Sequence, residues 1–150
     1  MNGPLNFTAE ALAQEATTLV QKLSAGLHTL PEVDDVHYGA TQKQEVWRDG
    51  KVVLYRFVGE KAPTAKVPLL IVYALVNRPY MVDLQHDKSL VRNLLAQGED
   101  VYLIDWGYTD GADRWLNLDD YINGYIRRSV DAVAKNAGVK KINLLGICQG

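Results

Sequence analysis

Only one cysteine, Cys148, occurs in the 150 residues, so no internal disulfide is available and the chain suits a reducing compartment, the cytoplasm. Basic charge is not in surplus either. Sixteen Lys and Arg stand against 18 Asp and Glu, a formal net charge of −2. Without a basic excess to neutralise phosphates, general nucleic-acid binding is excluded. No run approaches the roughly 18–20 consecutive apolar residues of a membrane-spanning helix, so a transmembrane protein is excluded too. Met1 to Asn6 carry no basic residue, and the stretch after them is amphipathic, so a secretory leader is not expected. Internal repeats and low-complexity segments are missing as well. What is present is the balance of a globular domain, 47% hydrophobic and 23% charged residues, at a length that suits one ordinary domain.

Residues 8–27 have the spacing of an amphipathic helix, with Leu12, Ala16, Leu19, Val20, Leu23 and Leu27 on one face, Thr8 placed to cap it and Gly26 near its end. Such a face packs on its own domain or is offered to a partner. A polar connection with Pro31 and Gly39 follows, dividing an N-terminal helical segment, 1–40, from the remainder, 41–150. Glu45 to Phe57 read as a hairpin whose Asp49-Gly50 pair suits a type I′ turn. Val67 to Tyr73 is a nearly continuous apolar run, the pattern of a strand buried on both faces of a parallel sheet. Ser89 to Gln97 is a helix closed by Gly98, and Val101 to Ile104 the next buried strand. The longest helix is predicted from Leu118 to Asn136, capped by Asn117 and ended by Gly138. Its stripe is Leu118, Tyr121, Ile122, Tyr125, Ile126, Val130 and Val133. Buried strands alternating with amphipathic helices predict an α/β fold, with a mostly parallel sheet, helices on its faces and right-handed crossovers.

The last residues, Gly146-Ile147-Cys148-Gln149-Gly150, follow the apolar run Ile142 to Leu145 and form a G-x-C-x-G pattern. This is the cysteine version of the G-x-S-x-G nucleophile elbow of α/β-hydrolase-type enzymes. Gly146 and Gly150 have a steric reason, since a cramped strand-to-helix turn leaves no room for a Cβ beside the nucleophile. Cys148 then sits where backbone N–H groups favour the anionic sulfur. The Gln149 N–H supplies half an oxyanion hole. The other half is expected from the loop Ala74 to Pro79 after the first buried strand. Losing one such donor typically costs roughly 3–4 kcal/mol of barrier. A thiolate attacking a thioester yields another thioester and keeps the acyl group activated, which suits a transferase. The base and its orienting acid follow the nucleophile in this fold, so both are expected beyond Gly150. His28, His37 and His86 read as surface or structural residues, and Asp105 as fixing the Asp105-Trp106-Gly107 turn.

PLLIVYALVNRPYMVDL (68–84), SLVRNLLAQGEDVYLIDWG (89–107), LDDYINGYI (118–126) and INLLGICQG (142–150) together resemble the polyhydroxyalkanoate synthases, and within them the two-subunit class III catalytic subunit. The resemblance covers about residues 40–150. It implies a cytoplasmic, granule-associated acyltransferase that polymerises (R)-3-hydroxyacyl-CoA, chiefly 3-hydroxybutyryl-CoA, and releases coenzyme A. Cys148 would be the acylated nucleophile, with the backbones of Gln149 and Val76 as oxyanion donors. A separate PhaE-type helical subunit and the polyester granule surface are the implied partners, and no cofactor or metal is implied. Later strands, cap, aspartate and histidine of the family lie outside these residues. The sequence is thus expected to be the N-terminal part of an α/β-hydrolase-like catalytic domain, truncated at the elbow and inactive by itself. A cysteine thioesterase or lactone hydrolase, or a non-catalytic module that binds a partner or granule, are the competing readings.

Overall fold

A computed structural model describes residues 9–29 and 39–150. These fall into two compact units, the first holding helix α1 and the second running to Gly150. Helix α1 (Ala9–Thr29) holds residues 9–27 of the predicted helix and runs two residues further. Leu19 and Val20, assigned from the sequence to its apolar face, are exposed. Thr8, Pro31 and His37 lie outside the described residues, as do the side chains of Leu12, Leu23, Leu27 and His28.

In the second unit, β1 (Lys43–Asp49) and β2 (Val52–Phe57) form the predicted hairpin. β3 (Leu69–Val72), β4 (Asp83–Gln85), β5 (Lys88–Ser89), α2 (Leu90–Ala96), β6 (Val101–Asp105), α3 (Arg127–Ala137) and β7 (Asn143–Gly146) follow. The main sheet has the order β1-β2-β6-β3-β7, and β4 and β5 pair separately. β2 is antiparallel to both its neighbours, whereas β6, β3 and β7 pair in parallel, so β2 alone runs against the other strands.

Strand alternation divides the core. Leu70, Val72, Tyr102 and Ile104 point to one face, where they meet Val133 of α3. Ile71, Val101 and Leu103 point to the other and meet Val91 of α2. Burying each such side chain stabilises the fold by about 1.5–3 kcal/mol. α2 starts where Ser89 accepts the Arg92 N–H, 2.9 Å, as an N-cap should.

Two sequence expectations are corrected. The hairpin loop consists of Gly50 and Lys51, because Asp49 pairs with Val52. Only Gly50 has positive φ there, +59°, which is the pattern of a type II′ turn and not type I′. The predicted long helix is composite: Asp120–Ile126 is a π-helix that passes into α3. Hydrogen bonds of i→i+5 type place more residues in each turn, and the apolar stripe loses its 3.6 period. Tyr121, Tyr125, Ile126 and Val130 still pack on the core, but Leu118 and Ile122 are exposed. The start does follow the sequence: the Asn117 side chain accepts the Asp119 N–H at 2.8 Å, and Asp120 returns a bond to the Asn117 N–H.

Candidate active site

Three parallel strands carry the site at their carboxyl ends. Val72 pairs with Gly146, which brings the exits of β3 and β7 side by side. Beyond Gly146 the Ile147 N–H donates to the Val72 carbonyl at 3.0 Å, and the Gly150 N–H donates to the Ile147 carbonyl at 3.2 Å. Within this turn Cys148 has φ +63°, the one positive φ at a non-glycine residue among those described. A side chain pays for that conformation sterically, and such strain gathers at functional sites. Cys148 is exposed, while Ile147 packs beneath it against the α2-side core.

The flanking glycines have no alternative. A Cβ on Gly146 would lie 2.4 Å from the Gly150 carbonyl oxygen, and one on Gly150 would lie 1.7 Å from the Val72 oxygen. Both distances are far inside van der Waals contact with backbone that cannot move aside. The turn is therefore closed onto β3.

The loop leaving β3 contains Val76 in a turn, exposed at 82%. It is anchored on both sides of that residue. Ala74 is buried, Leu75 packs on the core, and Trp106 Nε1 donates to the Tyr73 carbonyl at 2.9 Å. Arg78 Nη1 donates to the Gly107 carbonyl at 3.0 Å and its guanidinium lies 3.5 Å from the centre of the Tyr108 ring. Asp105 accepts the Gly107 N–H at 2.9 Å, fixing the turn after β6 as its position in the sequence indicated.

The hairpin tip closes the far side of this edge. Lys51 bridges Asp110 and Asp113, and this hydrogen-bonded ammonium holds both carboxyls below the usual carboxylate range. Beside it, a Cβ on Gly107 would meet the Lys51 carbonyl at 2.7 Å.

Cys148, Gln149 and Val76 thus come from two neighbouring strand exits, while the histidine nearest in sequence stands apart. His86 lies in the β4–β5 turn, with its Nε2 2.8 Å from an Arg92 nitrogen. Sequence reasoning passed over Arg78, Tyr108 and the Trp106 indole, because a single cation or ring in a loop carries no periodic signal. Their relation exists only once β6 pairs with β3. Among the described residues no three His, Cys, Asp or Glu side chains group as a metal centre requires, and no helix is long and apolar enough to cross a membrane.

Residues 67–150, which contain Val76, Arg78, Cys148 and Gln149, match the family described as alpha/beta hydrolase fold. The poly(3-hydroxyalkanoate) polymerase subunit PhaC of Allochromatium vinosum is 54% identical over 98% of this chain and 42% of its own length. That of Thiocystis violacea is 50% identical over the same shares, and that of Synechocystis sp. is 50% identical over 91% of this chain and 36% of its own. The chain spans about two-fifths of the length of these relatives. The chain belongs to the α/β-hydrolase fold family, and within it is similar over nearly its whole length to the PhaC subunits of poly(3-hydroxyalkanoate) polymerases.

Proposed function

We propose that these residues are the nucleophile-bearing part of a longer acyltransferase that polymerises (R)-3-hydroxyacyl-CoA, chiefly 3-hydroxybutyryl-CoA, into polyhydroxyalkanoate. The observation that carries the reading is the backbone of Cys148: a positive φ of +63° at an exposed thiol, between two glycines that admit no Cβ. A turn strained in this way holds its side chain out toward an incoming acyl group.

In the reaction, the Cys148 thiolate attacks the thioester carbonyl and forms a tetrahedral oxyanion. The backbone N–H groups of Gln149 and Val76 are the donors for that oxyanion. Collapse breaks the bond to the coenzyme A sulfur, coenzyme A leaves as its thiol, and the acyl group remains on Cys148 as a thioester. Attack by the 3-hydroxyl of a second 3-hydroxyacyl-CoA on this thioester then forms the ester bond. It breaks the acyl C–S bond to release the Cys148 thiolate, passes the hydroxyl proton to the base and leaves the chain one unit longer. The histidine that takes protons and the aspartate that assists the hydroxyl belong, in this reading, to the remainder of the longer protein. No metal or redox cofactor takes part. The same reading has the enzyme working in the cytoplasm at polyester granules, beside a PhaE-type helical partner subunit.

The test is direct. Full-length protein carrying this sequence is given 3-hydroxybutyryl-CoA, coenzyme A release is followed with a thiol reagent, and products are weighed by mass spectrometry. Oligomer formation, an acyl adduct on Cys148 and loss of both in Cys148→Ala are expected. Free 3-hydroxybutyric acid as the sole product would make the enzyme a hydrolase instead.

A further inference from the structure

Arg78 stands at the same carboxyl edge as Cys148 with its charge unspent. The described carboxylates nearby are occupied: Asp110 and Asp113 by Lys51, and Asp105 by the Gly107 N–H. The other ion pairs join Arg48 to Glu45, Arg56 to Asp100 and Arg128 to Asp49, so Arg78 has no carboxylate partner among the described residues. It is nevertheless held firmly. One guanidinium nitrogen donates to the Gly107 carbonyl and the plane lies on the Tyr108 ring. The Arg78 N–H is tied to the Asn77 side chain at 2.8 Å, and Pro79 opens the short 3₁₀ turn that buries Val82. A guanidinium fixed by stacking and by one hydrogen bond keeps its other N–H groups for a ligand and has already lost most of its rotamer freedom.

The chemistry of that ligand follows from the charge and the place. A half-buried, pre-oriented guanidinium with no acidic partner fits an anion with several oxygens, and phosphate suits its fork geometry. We propose that Arg78 anchors the phosphate groups of the coenzyme A thioester while the acyl end reaches Cys148. The inference rests on the acyltransferase reading above. β3 lies between β6 and β7 in the sheet, so the brace between the β3 and β6 exits stands one strand away from the elbow. Binding energy gathered at such a distance positions the reacting carbonyl without touching it.

Two substrates separate this role from simple bracing of the loop. Full-length protein is assayed with 3-hydroxybutyryl-CoA and with the 3-hydroxybutyryl thioester of N-acetylcysteamine, which lacks every phosphate. Arg78→Gln is expected to raise KM for the coenzyme A thioester about tenfold or more, the worth of one charge-assisted hydrogen bond. On the truncated thioester, where only the brace of the Val76 loop is lost, its kcat/KM falls several-fold less than on the coenzyme A thioester. Arg78→Lys recovers part of the KM, and added salt weakens the unaltered protein more than Arg78→Gln. Equal losses on both thioesters, or an unchanged KM for the coenzyme A thioester, would overturn the proposal. Failure of the acyltransferase reading looks different, since free 3-hydroxybutyric acid is then the sole product or Cys148→Ala behaves as the parent does. Calorimetry with free coenzyme A decides in that case: weaker binding by Arg78→Gln upholds the anchor, and equal or absent binding by both proteins refutes it.

Discussion

At Gly150 one missing methyl group determines whether the elbow can close. A Cβ there would sit 1.7 Å from the Val72 oxygen, the same oxygen that accepts the Ile147 N–H. Gly150→Ala must therefore push the turn off β3 and carry Cys148 with it. The expected result in full-length protein is a stability loss of about 1–3 kcal/mol, as for other overpacked sites. Coenzyme A release should fall far more, because displacing a nucleophile by about 1 Å costs roughly a hundredfold. Gly111 provides the control: a Cβ there meets nothing within 4 Å, and Gly111→Ala should stay within about 0.5 kcal/mol. Urea unfolding and thiol release measured on both variants check the contrast, and a harmless Gly150→Ala would remove the steric argument for the elbow.

The elements differ in how openly the sequence declares them. β3, β6 and α2 were legible because apolar runs and a Ser cap state burial and start point locally. The cramped turn at 146–150 was legible because two glycines spaced around one residue after an apolar strand ask for a bend without room for a Cβ. The π-helix was not: Leu118 and Ile122 fit a 3.6 stripe, and nothing in their identity reveals that the turn widens at Asp120. Nor was the β4–β5 pair, two very short strands organised by a buried carboxylate, whose Asp83 accepts from the Thr41 and Ser89 hydroxyls at 2.7 and 2.6 Å. Contacts between elements are equally silent in sequence, and Tyr102 supplies a measurable one. From β6 its hydroxyl donates to the Asn136 side chain of α3 at 2.8 Å, and burial pushes its pKa from an ordinary 10 up to about 12. Above pH 10 the unfolded chain therefore gives up this proton while the folded chain keeps it. Stability is fully present below pH 10 and drains as pH rises toward 12, by up to about 2–3 kcal/mol. Tyr102→Phe lacks the proton, so denaturant midpoints taken from pH 9 to 12 should fall less steeply in that variant than in the parent. Parallel curves would mean that the hydroxyl does not stay protonated in the fold.

For the molecule as a whole, β7 is the informative strand, because it both holds the elbow and ends the sheet. It pairs with β3 alone, and Leu144, on the face shared with Leu70, is 56% exposed. An uncovered strand edge beside apolar surface is a template for association. Cys148 therefore follows directly on an edge strand of the sheet, and in the proposed reading the remainder of the longer protein covers that edge before the turn becomes rigid. The 150-residue polypeptide expressed alone is accordingly expected to self-associate, to bind a hydrophobic dye and to release no coenzyme A from 3-hydroxybutyryl-CoA. Leu144→Lys should reduce the association by placing charge at the edge, yet leave the activity absent, since the proposed mechanism takes its histidine and aspartate from the remainder of the longer protein. Light scattering and thiol release distinguish these outcomes. A monodisperse, cooperatively unfolding polypeptide that turns over substrate through Cys148 would show that the elbow needs no further strand to hold it.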